Sequence, residues 1–142
     1  PVHQGAYRSG APEYLMARVT CKPGVRFKGF TRGLVRILGA VLLVAERTPM
    51  AQVVITSAND GTHSRRPRSR HYSDEAVDLR SRSFRTAESR NRFLQRLRRE
   101  LGPAFWLDYE RAGTPHEHFH VQVRKGHTYV GGLARGGREP RS

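Results

Sequence analysis

The sequence predicts an α+β domain in which a small antiparallel or mixed sheet carries helices packed on one side. Two segments, 32–47 and 86–101, have apolar residues at helical spacing. Short β-branched or aromatic runs typical of buried strands lie at 52–56, 76–80, 105–110 and 119–123. Because helices and strands do not alternate regularly along the chain, a layered α+β arrangement is expected.

The first helix is expected over residues 32–47. Its apolar positions recur every three or four residues at Leu34, Ile37, Leu38, Val41, Leu42 and Ala45. Thr31 is a suitable N-cap and Pro49 ends the segment, while Gly33 and Gly39 weaken it slightly. The run is too short to span a bilayer, which takes about 20 apolar residues, so we expect a buried helix and no membrane span.

The remaining elements follow from the same local patterns. The helix at 86–101 turns Phe93, Leu94, Leu97 and Leu101 inward and its arginines outward, and Gly102-Pro103 ends it. Residues 105–110 and 119–123 are expected to form a hairpin, and 14–21 a short strand or a turn of helix. Residues 57–70 form a long polar loop, and long loops inside compact domains are often functional.

The chain of 142 residues is expected to hold one domain, spanning 15–126. Residues 1–14 are expected to be an irregular arm, and the Gly- and Arg-rich residues 127–142 a tail. The N-terminal residues lack the basic-then-apolar pattern of a signal peptide, so none is expected. Cys21 is the single cysteine, which excludes an intramolecular disulfide and a zinc site built from several thiolates.

The charge balance predicts a polyanionic partner. Twenty-six Lys and Arg face 12 Asp and Glu, for a net charge of +14. Such an excess favours nucleic acid, teichoic acid, anionic glycan or an acidic membrane surface. The positive residues are scattered, and no zinc-finger, helix-turn-helix or RNA-binding signature accompanies them. Nucleic acid is therefore not expected as the main partner.

A split cluster of metal-type ligands carries the chemistry. His71 ends the polar loop, Asp78 lies in a predicted strand, and His120 lies in another. If these strands are neighbours, the three side chains converge, and two imidazoles with one carboxylate suit a catalytic zinc ion. Asp78 sits between apolar neighbours, where an unpaired carboxylate would be costly to bury.

Two residues compete for the role of base beside such a metal, Glu117 and His118. On a regular strand, His116, His118 and His120 share one face and Glu117 points to the other. If the strand begins only at His118, Glu117 lies on the preceding turn and can swing toward the metal. The three histidines could alternatively form an exposed strand face or a patch that binds transition metals.

Two motifs resemble the zinc D-alanyl-D-alanine carboxypeptidase family, which includes vancomycin-resistance dipeptidases, phage L-alanyl-D-glutamate endolysins and the hedgehog-type fold. Residues 69–78 follow its Ser-x-His-x-x-Gly-x-Ala-x-Asp motif, and 117–120 follow its Glu-x-x-His motif. The resemblance covers about residues 52–124 and is strongest to short phage-encoded members. One departure is Asp74, which stands where the family has a Gly with positive φ or a tight approach.

The resemblance implies a hedgehog/D-Ala-D-Ala peptidase-like fold and a zinc peptidase that cleaves the peptide part of bacterial peptidoglycan. It implies His71, Asp78 and His120 as Zn²⁺ ligands, Glu117 as general base and His118 as an auxiliary catalytic residue. Candidates for contacting the substrate are Ser69, Arg66, Arg70 and His63; Arg65 and Arg68 are further candidates for stabilising the scissile carbonyl oxygen.

Such an enzyme would be a phage lysis enzyme released from the host cytoplasm to the cell wall, or a virion component. Its partners would be peptidoglycan and either anionic wall polymers or phage virion proteins. The alternative is a phage structural or tail-associated module that keeps the fold and the zinc without activity. The sequence leaves the scissile bond and the oligomeric state open.

Overall fold

The computed structural model of this chain describes residues 18–48, 52–62, 69–127 and 129. The elements are β1 (Arg18–Cys21), α1 (Arg32–Glu46), β2 (Gln52–Ser57), β3 (Ala76–Arg80), a 3-10 turn (Ser81–Ser83), α2 (Ala87–Leu101), β4 (Phe105–Glu110) and β5 (His118–Val123). The arm predicted at 1–14 and nearly all of the tail predicted at 127–142 lie outside the described residues. The domain limits of 15–126 stay a prediction.

The strands form one five-stranded mixed sheet in the order β1-β2-β3-β5-β4. β1 pairs parallel to β2, and the other neighbours are antiparallel. The predicted α+β class is therefore confirmed, and the hairpin predicted from the last two strands is the β4–β5 pair. Strand and helix were both open for the segment 14–21. Its residues 14–17 lie outside the described part of the chain, and Arg18–Cys21 forms a strand at the edge of the sheet.

α1 begins where the sequence indicates, because Thr31 accepts a hydrogen bond from the Leu34 N–H at 3.1 Å. Its buried face is formed by Leu34, Ile37, Ala40, Val41, Val44 and Ala45. Leu42 is 48% exposed, although its spacing suggested the core. Gly33 has a packing role, since a Cβ there would lie 2.4 Å from a methyl carbon of Val123 on β5.

α2 begins at a capping box in which the Thr86 side chain accepts from the Ser89 N–H and Ser89 bonds back to the Thr86 backbone. The four predicted inward residues are the buried ones, and Gly102 ends the helix at φ 80°. Phe93 stacks on Phe84 with ring centroids 4.4 Å apart. These contacts fix α2 on the same core as α1.

Both described helices pack on one face of the sheet, the helix face; the other face, which carries neither helix, is called the open face. On β5, Phe119, Val121 and Val123 are fully buried in the core formed with the helices. The alternate residues His118, His120 and Gln122 therefore point to the other face. In the part of the chain that the structure describes, no helix is long and apolar enough to cross a membrane.

Candidate metal centre

Three predicted ligands converge on the open face. Asp78 on β3 lies directly opposite His120 on β5, so the two strands are neighbours, which is the condition for these side chains to converge. His71 reaches them from the turn that precedes β3. One ligand atom from each of the three residues lies within 4.8 Å of the others.

His71 is oriented by a hydrogen bond from the ring nitrogen that points away from Asp78. Nδ1 lies 2.6 Å from the carbonyl oxygen of Ala58. A carbonyl can only accept, so Nδ1 carries the proton and donates it. Nε2, which lies 3.3 Å from Asp78 Oδ1, is then the nitrogen available to a metal ion.

His120 is held in the same way by Gln122. Its Nε2 lies 2.8 Å from Gln122 Oε1, and the Gln122 amide nitrogen donates to the Val123 carbonyl oxygen at 3.2 Å, which sets the orientation of the amide. Nε2 is therefore the donor, and Nδ1 lies 2.8 Å from Asp78 Oδ1. Such outer contacts commonly fix the tautomer and orientation of metal-binding histidines.

The electrostatics couple Asp78 to both rings. Burial alone would raise the pKa of the Asp78 carboxyl, but its interactions with the His120 imidazole, and next with that of His71, outweigh burial and hold that pKa well below its usual range. Burial alone would lower the pKa of His120, but the hydrogen bonds with Asp78 and Gln122 outweigh it and raise that pKa. In the metal-free protein the ionised form of Asp78 and the protonated form of His120 thus favour each other.

These residues fit a metal ion. Two imidazole nitrogens and one carboxylate oxygen face a common point, and both rings have their second nitrogen tied to an acceptor outside it. Catalytic zinc sites use three such protein ligands and leave a fourth coordination position for water or substrate. The buried group His71, Asp78 and His120 could therefore hold a metal ion.

His118 lies beside this group. Its Nδ1 is 2.9 Å from the His116 carbonyl oxygen, and its Nε2 is 3.1 Å from Glu110 Oε2 and 3.7 Å from Asp78 Oδ1. The predicted auxiliary residue is thus close to the candidate ligands. Glu110 is its cross-strand partner on β4, and no sequence motif marks this glutamate. Only the hairpin register could have revealed that neighbour.

Glu117, the predicted base, is held away from the three ligands. Its side chain is 8% exposed, with Oε1 lying 3.1 Å from Arg82 Nε and Oε2 accepting from the Tyr109 hydroxyl. Tyr109 packs its ring on Phe119, a residue of the helix face. Because β5 begins at His118, Glu117 lies on the preceding turn, the position from which it was expected to be able to reorient.

The predicted substrate residues are only partly described. Arg70 is 2.8 Å from Glu75 Oε1 and donates to the Arg124 carbonyl oxygen at 3.2 Å, so it braces the turn next to His71. Ser69 is half-buried at the start of that turn and its carbonyl accepts from the Tyr72 N–H. His63 and Arg66, like Arg65 and Arg68, lie outside the described residues. A role in substrate binding stays a prediction for all of them.

Asp74 adopts the conformation expected of the motif glycine, with φ 56°. Its carboxylate accepts from the Asn59 amide at 2.7 Å, and its carbonyl accepts from the Thr31 hydroxyl at 2.7 Å. These contacts tie the turn that carries His71 to the loop after β2 and to the start of α1. The departure from the motif thus keeps the required backbone shape.

Trp106 was also missed. It is the β4 residue opposite Gln122, it is 38% exposed, and its ring centroid lies 5.7 Å from that of His120. An exposed indole beside the candidate ligands offers a flat apolar surface next to the centre. No sequence motif marks this tryptophan, because its position depends on strand pairing.

Comparisons with known proteins do not assign a family to the chain. No protein-family model, no curated protein and no solved structure matches it. The centre therefore has to be interpreted from its own geometry and from the motif spacing.

Proposed function

We propose that this chain is a zinc-dependent peptidase that cleaves the peptide part of bacterial peptidoglycan, as a phage endolysin-like or virion-associated lysin. The observation that carries the proposal is the convergence of His71, Asp78 and His120, with one nitrogen of each ring directed inward. The motif spacing and the positive φ of Asp74 support the likeness to the hedgehog/D-Ala-D-Ala peptidase fold.

In this proposal Zn²⁺ would be held by His71 Nε2, an Asp78 oxygen and His120 Nδ1. Zinc, when bound, lowers the pKa of a coordinated water to about 7 and polarises a carbonyl oxygen. Ala58 and Gln122 keep both imidazoles in the tautomer that leaves these nitrogens free. Trp106 would border the substrate on the β4 side.

Proton transfer is assigned to Glu117, with His118 supporting the developing negative charge on the carbonyl oxygen. Glu117 takes the proton of the attacking water and returns it to the leaving amine nitrogen. To do so it exchanges its contacts with Arg82 and Tyr109 for a position on the open face. His118, already beside Asp78, is the competing candidate for the base.

The test is mass spectrometry of a defined muropeptide digest, with linear and cross-linked peptides, by the zinc-loaded protein. We expect one type of peptide bond to be cut. Glu117→Gln should lower the rate by roughly 10²–10⁴-fold, the usual contribution of a general base, while keeping its zinc. His71→Ala should lose both zinc and activity.

Glu88→Gln is the matched control, since Glu88 is an exposed carboxylate on α2 paired with Arg92, and its variant should keep full activity. If His118→Ala is inactive while Glu117→Gln is not, the base is His118. If no peptide bond in the panel is cut by the zinc-loaded protein, the enzymatic proposal fails.

The second candidate function is a phage structural or tail-associated module that keeps the metal without activity. The observation in its favour is the engagement of Glu117 by Arg82 and Tyr109 on the helix side of the sheet. A structural module of this kind should bind one zinc ion per chain, melt at a lower temperature after chelation, and cleave no muropeptide.

A further inference from the structure

A concave surface separate from the metal centre lies between the C-terminal end of α1 and the C-terminal half of α2. This arginine cleft has a volume of about 260 Å³ and is lined by Val44, Arg47, Arg96, Arg99 and Glu100. Val44 is buried, whereas the three arginines are exposed. The cleft therefore has an apolar base and a strongly basic rim.

The positive charge of the cleft is not neutralised by the described residues. Glu100 is engaged by Arg36, which lies 3.5 Å from its carboxylate and also donates to its carbonyl oxygen. Arg96 makes a weak contact of 3.4 Å with the Arg47 carbonyl oxygen. Among the described residues, no carboxylate forms an ion pair with Arg47, Arg96 or Arg99.

The helix dipoles offset only part of the positive charge of the cleft. α1 ends at Glu46 and α2 at Leu101, so both C-termini lie near the cleft and favour cations. Each contributes roughly half a negative charge, or about one in total, against three guanidinium groups. The remainder leaves the cleft with a net positive charge that favours an anion.

The rim fits phosphate groups, and none of the described residues that line the cleft is aromatic. Guanidinium groups bind phosphate oxygens through paired N–H donors. Single-stranded nucleic acid sites add aromatic side chains on which bases stack. Of the exposed large apolar residues in the described part of the chain, none lines the cleft. A flexible polymer with phosphates but no bases fits these features best.

We propose that the arginine cleft binds the phosphate groups of a base-free phosphodiester polymer of the teichoic-acid type. α1 and α2 cover one face of the sheet and the candidate metal centre lies on the other. A polymer in the cleft would leave the metal centre open. The cleft would thus tether the protein to an anionic wall independently of the chemistry at the metal centre.

The test measures binding of the full chain to purified poly(glycerol phosphate) by calorimetry at several salt concentrations. The variant Arg96→Gln/Arg99→Gln should bind at least about tenfold more weakly, and its slope of log K against log salt should fall by about one to two. The matched control is Arg85→Gln/Arg92→Gln, which removes the same charge outside the cleft. It should stay within about threefold of the parent.

Equal losses in the two double variants would overturn the cleft as a site and leave only diffuse attraction. Equally tight binding of poly-glutamate would overturn phosphate recognition. Cleft-dependent binding of a DNA duplex that is tighter than that of poly(glycerol phosphate) would overturn the choice of polymer. Zinc content and muropeptide cleavage are measured on the same samples, so failure of the peptidase proposal is seen separately.

Discussion

At the residue scale, the candidate metal centre depends on which nitrogen of each imidazole faces Asp78. Ala58 and Gln122 decide this, because each accepts from the nitrogen that points away from the centre. Gln122 is the more informative of the two, since it is a side chain that can be changed without disturbing the backbone. It is also a β5 neighbour of the ligand it orients.

Removal of the Gln122 side-chain oxygen, which accepts from His120, should weaken metal binding. We expect Gln122→Met to raise the zinc Kd by roughly 10–100-fold, the usual effect of losing such an outer contact. Gln122→Glu keeps an acceptor and should restore most of the affinity. The measurement is competition with a chromophoric chelator at pH 7.5, with circular dichroism to verify folding. Equal Kd values for both variants would exclude the orienting role.

At the element scale, the turn before β3 positions His71, and Asp74 determines its shape. At φ 56° glycine is unstrained, Asn and Asp are moderately strained, and other residues are strained more. Asp74 offsets that strain with its hydrogen bonds to Asn59 and Thr31. The turn, the loop after β2 and the start of α1 are thereby linked.

Substitution at Asp74 should separate backbone strain from hydrogen bonding. Asp74→Ala loses the Asn59 hydrogen bond and keeps the positive φ, so we expect the free energy of unfolding to fall by about 2 kcal/mol. Asp74→Gly loses the same bond but relieves the strain, and should cost less than about 1 kcal/mol. Urea denaturation measures both. A glycine variant as unstable as the alanine variant would contradict this account.

At the scale of the whole molecule, protons and metal compete for the group that joins β3, β5 and the turn before β3. The lowered pKa of Asp78 and the raised pKa of His120 mean that their pairing stabilises the metal-free fold most between pH 3.8 and 6.5. That stability is lost as pH falls through the lowered pKa of Asp78 or rises through the raised pKa of His120. A metal ion needs neutral His120, so its contribution grows as pH rises.

Zinc should therefore raise the melting temperature far more at pH 8 than at pH 5. At zinc a hundredfold above Kd the stabilisation is about 2.7 kcal/mol, or roughly 5–15 °C for a chain of this size. Differential scanning calorimetry measures the shift, and His71→Ala serves as the control that should show almost none. An equal shift at both pH values, or in the control, would point to zinc bound elsewhere.

Much of the fold could be predicted because its signals are local. The cap Thr31 follows from its residue type and position, and the inward residues Phe93 and Leu97 follow from spacing within one helix. The candidate ligands could be found because His71 and Asp78 lie in one motif. Helical periodicity and capping act over a few residues, so the amino-acid sequence by itself determined them.

The tertiary structure alone decided which side chains meet across the sheet. It brought Glu110 to His118 and Trp106 to His120, and it turned Glu117 toward Arg82. These contacts depend on strand register and on the face to which each residue points, which are set by pairing between segments far apart in sequence. The sequence by itself determined the α+β class and the candidate ligands; the sheet register determined what surrounds those candidates.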